Sequence, residues 1–338
     1  VLLLGQTLTV LRLEALGRVF ALAFSAYAVL AAVYAWTDRG AAPRAFSLTL
    51  AAGGIGVTLA GDWLTFFLFW ELLTVSSLFL IWQGRAENGR AALDAGFRYL
   101  ILHLAGGSAL LVGILLQWRA TGSLDIAVLE PTGAAAWLML AGMLVNAAMP
   151  PLHAWLPDAY PRATVFGTVF LCAFTTKAAV YALARVFPGA DPLVWIGACM
   201  TLYGVTFAVL ENDMRRLLSY HIVSQVGYMV CGVGLGTALA INGSSAHAFA
   251  HIFYKGLLMM SAGAVVYAVG TGRLSTLAGL GGLARSMKWV AALMLVGAFS
   301  IAGVPLFNGF VSKALVISAA AYEHRPAIEL ILLFASMG

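Results

Sequence analysis

The chain has 338 residues, of which 62% are hydrophobic and only 10% charged, with a mean hydropathy of +0.93 and a formal net charge of +5. That balance excludes a water-soluble globular domain and a disordered chain, and leaves an integral membrane protein. Most of the basic residues sit in short loops between apolar runs, so nothing in their placement supports nucleic-acid binding.

A helix crossing a bilayer needs about 20 mostly apolar residues. In chain order such windows lie near 15–36, 45–60, 63–82, 95–117, 134–156, 163–187, 192–210, 214–238, 246–269 and 289–322. Part of an eleventh runs from about Pro326 to Gly338. These runs are too long and continuous for the short alternating strands of an outer-membrane barrel. The expected fold is therefore all-α, a polytopic membrane helix bundle. The chain starts at Val1 rather than Met and stops inside the apolar run Phe334–Gly338, so both ends read as cuts in a longer polypeptide. No cleavable signal peptide is recognisable. Cys172, Cys199 and Cys231 fall in apolar spans without the close pairing of a redox or metal motif, which makes them packing residues.

The loops after the first, third, fifth, seventh and ninth spans hold Arg39, Arg44, Arg85, Arg90, Arg98, Arg162, Arg215, Arg216, Arg273, Arg285 and Lys288, whereas the intervening loops hold Arg119 and Arg185. Basic residues favour the cytoplasmic side, so the odd-numbered loops are expected in the cytoplasm and the start of the first span outside. No low-complexity tract or Ser/Pro-rich linker separates a soluble domain.

Two crossings carry helix breakers. The fifth contains Met149-Pro150-Pro151-Leu152-His153-Ala154-Trp155-Leu156-Pro157, and the tenth Gly303-Val304-Pro305-Leu306-Phe307-Asn308-Gly309. Proline removes a backbone donor and clashes with the preceding turn, so both helices should break. Freed backbone groups at membrane depth are tolerated only where protein or a watery cavity satisfies them. The two breaks stand five spans apart, in corresponding places of two halves, which is the sequence pattern of an inverted-repeat transporter. The expected organisation is a peripheral span over 1–44, a first five-helix repeat over 45–187 and a second, incomplete one over 188–338.

Ionisable residues inside these spans carry the functional reading. A charge near the bilayer centre costs at least about 2.5–3.5 kcal/mol, so it is normally kept in a bundle interior, with a partner or along a wet path. Glu71 lies in Phe66-Phe67-Leu68-Phe69-Trp70-Glu71-Leu72-Leu73, with no polar neighbour until Thr74, where a carboxyl can exchange a proton in response to nearby charge. A carboxylate locked in a structural ion pair is the plainer alternative. Lys177 follows Thr175 and Thr176 far from either end of its span, which suits a relay better than snorkelling. His247, His251 and Lys255 are spaced i, i+4, i+8 and so share one stripe of the ninth crossing. Histidine accepts a proton on one ring nitrogen and donates from the other, so the stripe reads as a proton wire. Buried packing histidines and a metal site are its alternatives, the latter weakened by the lack of a nearby acid or cysteine. Lys313 follows the second break by four residues, as a transfer or exit point. His103 reads equally as a further polar site or a structural hydrogen bond, and Asp62 as a helix cap.

No phosphate loop, dinucleotide fingerprint, CxxC cluster or HExxH is present, so no catalytic centre, cofactor or metal is expected in this chain. Energy must come from an ion gradient or from another subunit.

FWELL around Glu71, PLHAWLPDAYPRA at 151–163, TTKAAVYALAR at 175–185, NDMRRLLSYHIVSQVGYM at 212–229, HAFAHIFYKGLLMMSAGAV at 247–265 and AGVPLFNGFVSKALVI at 302–317 resemble one family. It is the antiporter-like proton-channel family shared by respiratory complex I, membrane-bound hydrogenases and Mrp-type sodium/proton antiporters, and the likeness is greatest to the D-type membrane protein of the last. The resemblance implies two inverted five-helix repeats, each with one discontinuous helix, and a polar axis near the membrane midplane. By position it makes Glu71 the family's carboxylate, Lys177 its bridging lysine, His247, His251 and Lys255 its connecting stripe, and Lys313 its terminal lysine. One departure stands out: where the family commonly has a lysine just before the first proline cluster, this chain has Asn146, which hydrogen-bonds but carries no proton. His153 is a candidate substitute.

The implied function is a proton-translocating subunit of a multisubunit cation/proton antiporter in a bacterial inner membrane. Its expected partners are other membrane subunits, protons, Na+ or another monovalent cation, and lipid. The alternatives are a pumping subunit of a complex I-like or hydrogenase complex, and an energy-coupling or scaffold subunit such as one of a bicarbonate-uptake complex.

Overall fold

A computed structural model describes residues 2–3, 6–37 and 40–336. Val1, Arg39, Met337 and Gly338, which entered the reading of the termini and of the loop charges, lie outside the described residues. A two-residue antiparallel pair, β1 (Leu2–Leu3) with β2 (Gln6–Thr7), precedes helices throughout. The first are α1 (Ala15–Tyr34), α2 (Ala41–Leu59), α3 (Trp63–Gln83), the single turn α4 (Arg85–Asn88), α5 (Arg90–Thr121), α6 (Ala134–Asn146) and α7 (Trp155–Ala159). They are followed by α8 (Val165–Leu171), α9 (Thr175–Val186), α10 (Asp191–Leu210), α11 (Met214–Leu235) and α12 (Ala238–Val269). The last are the short α13 (Leu274–Leu280) and α14 (Leu283–Ser286), then α15 (Lys288–Ala302), α16 (Asn308–Tyr322) and α17 (Pro326–Ser336).

Among the described residues six helical segments are long and apolar enough to cross a membrane by length and composition: 15–37, 63–88, 90–121, 165–186, 191–210 and 238–269. Ten crossings were expected. The windows 134–156 and 289–322 fall short as single helices because each is broken. The other two, α2 and α11, are 19 and 22 residues long but rich in small or polar residues.

The loops sort into two opposite faces. On one, Asn88 Nδ2 donates to the carbonyl of Arg162 at 3.0 Å, Asp158 pairs with Arg98 and Arg162, and Arg215 donates to the carbonyl of Ala163 at 3.1 Å. On the other, Arg12 pairs with Asp125 at 3.2 Å, Arg185 with Glu14 at 2.9 Å and Arg325 with Asp191 at 2.7 Å. The arginine-rich odd loops thus share a face, as the charge pattern predicts, while Arg12 and Arg325 add basic charge to the opposite one.

Small residues set the closest approaches. A Cβ at Gly197 would strike the backbone of Cys231, and one at Gly204 the backbone of Ser224, so α10 and α11 touch backbone to backbone. Such contact is how helices gain van der Waals energy where lipid removes the hydrophobic drive between them. Asp62 caps α3, accepting from the Thr65 amide at 2.8 Å, as its position suggests. Cys172 and Cys231 are buried, but Cys199 is exposed on α10, so it is not the packing residue expected from its apolar span.

Three breaks interrupt the crossings, where prolines announce two. α6 stops at Asn146 and the chain runs irregularly over 147–154, with Ala148 at φ +59°. There the Trp155 indole donates to the carbonyl of Val145 at 3.0 Å, which also accepts from the Ala148 amide at 3.1 Å. α15 stops at Ala302, and Gly303 (φ +75°) and Leu306 (φ +79°) carry the chain into α16. The third break, at 172–174 between α8 and α9, lies where an uninterrupted helix over 163–187 is expected. No glycine or proline causes it; side-chain donors compete for the carbonyls. Tyr27 Oη donates to Val169 O at 2.8 Å and Lys177 Nζ to Cys172 O at 2.7 Å.

Candidate functional site

The ionisable residues singled out by sequence lie largely inside the bundle. Lys177, His247, His251 and Lys255 are fully buried, His103 and Asn146 are 1% exposed and Lys313 is 4% exposed. Glu71 is partly buried, and its Oε1 is shielded from solvent without a hydrogen-bond partner. It forms no ion pair among the described residues, which removes the reading of a locked structural carboxylate.

α3 presents Glu71 to α5 at Gly107, where an added Cβ would collide with Oε1. The absence of a side chain there lets the carboxylate reach the α5 backbone. Between Glu71 and Lys177 lies a cluster of buried hydroxyls. Tyr99 is within electrostatic reach of Glu71 and stands beside Ser77 and Thr175, whose oxygens are 3.3 Å apart. Tyr160, in the segment after α7, is buried nearby, and its hydroxyl has no hydrogen-bond partner.

Lys177 donates to Cys172 O and, at 3.1 Å, to Thr176 Oγ1. Its ammonium therefore sits at the carbonyl end of α8, where the helix dipole is negative. Enclosure on all sides rules out snorkelling. Lys255 and His251 of α12 lie within electrostatic reach of Lys177. The Nζ of Lys255 and both ring nitrogens of His251 are buried without hydrogen-bond partners.

His247 continues the stripe, with Nδ1 2.8 Å from Ser312 Oγ and Nε2 3.1 Å from Gln225 Oε1. An amide oxygen only accepts, so Nε2 carries the hydrogen and Ser312 donates to Nδ1. The next residue, Lys313, donates to Ile301 O at 2.7 Å and lies 5.4 Å from the Tyr228 ring centre. Its acceptor is a carbonyl released by the α15–α16 break, so both lysines of broken crossings are held in the same way.

Sequence reasoning missed two contributors from α11. Gln225 bridges His247 and Tyr254, the latter at 3.4 Å. His221 lies within electrostatic reach of both Lys255 and Lys313, with its Nδ1 unpartnered. The signal was present, since His221, Gln225 and Tyr228 recur at i, i+4, i+7 and share a helix face.

Of the modifiers, His103 stacks on Tyr99 at 3.8 Å and stands edge-on to Trp155 at 4.5 Å. Both polar atoms of Asn146 lack partners. His153 is in the wall of a separate cleft, away from the lysines. Among the described residues no group of three or more His, Cys, Asp or Glu side chains is placed to hold a metal ion. The arrangement can accept, hold and pass protons along a line of titratable groups.

Residues 60–337 match the model of the transmembrane NADH:quinone oxidoreductase/Mrp antiporter family. The chain is 34% identical over 320 residues to the D component of the Na(+)/H(+) antiporter of Alkalihalophilus pseudofirmus, covering 86% of this chain and 63% of the relative. It is 33% identical over 302 residues to the N component of the NADH-quinone oxidoreductase of Desulforudis audaxviator, covering 81% of this chain and 59% of that one. Among solved structures, a chain of the Mrp complex from Dietzia sp. DQ12-45-1b superposes with a TM-score of 0.87 at 29% identity, over 97% of this chain and 64% of that chain. Across further curated relatives the chain spans between 34% and 66% of their length.

Proposed function

Because the chain belongs to the NADH:quinone oxidoreductase/Mrp antiporter transmembrane family, we propose that it is a proton-translocating, antiporter-like subunit of a multisubunit monovalent cation/proton antiporter of the Mrp type. In this reading it works in a bacterial inner membrane with other membrane subunits, exchanging protons for Na+ or another monovalent cation. The observation that carries it is the succession of ionisable side chains inside the bundle, from the partly buried Glu71 through the buried Lys177, Lys255, His251 and His247 to Lys313, in which α3, α9, α12 and α16 each contribute members. A charge arriving at Lys177 acts on Lys255 and His251, which are within its electrostatic reach, so transfer at one group changes the proton affinity of the next.

The two-repeat organisation over 45–187 and 188–338 belongs to the same proposal. It is supported by the order of elements: the α2–α3 and α10–α11 pairs are each followed by a 32-residue helix, α5 or α12, and then by a broken crossing.

The test is proton/sodium exchange in vesicles holding the whole complex, with Glu71→Ala and Lys177→Ala beside wild type. Both variants are expected to assemble and to lose exchange. Wild-type rates in assembled complexes would reject the relay in favour of a scaffold role.

A further inference from the structure

The two halves of the axis differ at one place. Position 146 offers no proton carrier, and the Oδ1 and Nδ2 of Asn146 are buried without partners. Close by, Glu71 Oε1 rests against Gly107 of α5, and His103 stands four residues earlier on that helix face. His103 and Gly107 thus stand one turn apart on α5, and Tyr99, on which the His103 ring stacks at 3.8 Å, is within electrostatic reach of Glu71. His103 Nδ1 lies 3.0 Å from the carbonyl of Tyr99. A carbonyl only accepts, so Nδ1 carries the hydrogen, and Nε2, buried without a partner, carries the lone pair.

Beyond His103 stands Trp155, which also lines a cleft of about 370 Å³. The cleft lies at the arginine-rich face, between Arg98, Asp158, Arg216, Tyr203 and Tyr220. His153 forms part of its wall, 8% exposed, with its ring 4.4 Å from Tyr203 and its Nδ1 unpartnered. The polar groups of the cleft thus lead inward to an unsatisfied imidazole nitrogen, and a second one stands behind Trp155. The indole N–H is committed to Val145 O, so Trp155 walls the passage rather than carrying protons.

We propose that this cleft is the mouth through which protons reach Glu71, and that His153 and His103 take them up and pass them on in place of a titratable group at position 146. The proposal rests on the proton-translocating reading. A hydronium in the cleft gives its proton to neutral His153 and leaves as water. The imidazolium returns a proton to a water beside Trp155, which delivers it to Nε2 of His103. His103 releases it from the same nitrogen, through water, to the Glu71 carboxylate, which becomes the neutral acid. Only N–H and O–H bonds form and break, and the one positive charge that enters is cancelled at Glu71.

The test is exchange by the whole complex in vesicles, comparing wild type with His153→Ala, His153→Gln, His103→Asn and Glu71→Ala. His103→Asn keeps a donor for the Tyr99 carbonyl, and His153→Gln keeps bulk and polarity if the alanine variant fails to assemble. Each histidine variant is expected to lose exchange by roughly tenfold or more. Carnosine, a poorly permeant imidazole, should restore His153→Ala from the arginine-rich face and not from the opposite one. Wild-type rates in both histidine positions, with exchange lost in Glu71→Ala, would overturn the mouth and leave the antiporter reading standing. Loss in His153→Ala with no one-sided rescue would make that histidine structural and equally overturn the proposal. A wild-type rate in Glu71→Ala would sink the underlying reading itself.

Discussion

Gly107→Ala separates the placing of Glu71 from the stability of the fold. The new Cβ would meet Oε1 head-on, 3.2 Å from Glu71 Cδ and 3.5 Å from Oε2. Those atoms are the free end of a side chain, so the collision is relieved by rotating the carboxylate by about 1 Å, to ordinary contact distance. Turning it off its rotamer costs about 0.5–1.5 kcal/mol, while replacing a mid-helix glycine with alanine gains about 1 kcal/mol. The two nearly cancel, so the thermal midpoint of the purified complex should stay close to wild type. Function should not, because a displacement of about 1 Å in a reacting group can cost about a hundredfold. Gly142→Ala is the contrast: its Cβ would sit 2.5 Å from the carbonyl oxygen of Gly106, a backbone atom that cannot step aside. That variant should lose α5–α6 packing and folded protein together. Detergent-solubilised thermal unfolding, read beside vesicle exchange, distinguishes the pair. Normal exchange in Gly107→Ala, or unfolding as severe as that of Gly142→Ala, would refute the argument that this glycine exists to position the carboxylate.

Tyr27→Phe removes the donor that holds Val169 O at the unannounced break, and should lower stability by about 1 kcal/mol while leaving exchange per assembled complex intact. A large loss of exchange at unchanged stability would instead place Tyr27 in the relay. Asn146→Lys puts a cation into a buried site whose polar atoms already lack partners. If it pairs with Glu71, a double-mutant cycle with Glu71→Gln should return a coupling of about 1 kcal/mol or more in unfolding free energy. Additive effects would mean that the two positions do not communicate.

How far the site was legible depended on whether its cause was local. The stripe His247–His251–Lys255 follows from helical periodicity alone, and the breaks at 147–154 and 303–307 follow from proline. The break at 172–174 was hidden because its cause is tertiary: Tyr27, about 140 residues earlier in sequence, captures Val169 O. Lys177 itself was found as a buried charge, but its acceptor was not, since only the break exposes Cys172 O. His221 and Gln225 were overlooked in a stretch that opens with Arg215 and Arg216 and reads as a polar helix start, although their spacing gave them away. Their roles become visible only once α11 is packed against α12 and α16.

The hydrogen bonding along the axis divides it into two kinds of station. Lys177 and Lys313 each donate to a carbonyl released by a helix break, which holds the side chain in one place. Between them, His251 and Lys255 present three buried side-chain nitrogens with no partner. Buried polar atoms are nearly always satisfied, and each orphan costs about 1–3 kcal/mol, so a purely structural histidine at 251 would be a poor use of the position. A relay, however, needs groups whose partners change as a proton passes. His251→Phe puts the two accounts in opposition. Removing two orphaned nitrogens while keeping a ring of similar size should leave the thermal midpoint unchanged or raised, yet stop exchange. A fall in stability with exchange preserved would show that the histidine serves packing, and that protons cross between Lys177 and His247 without it.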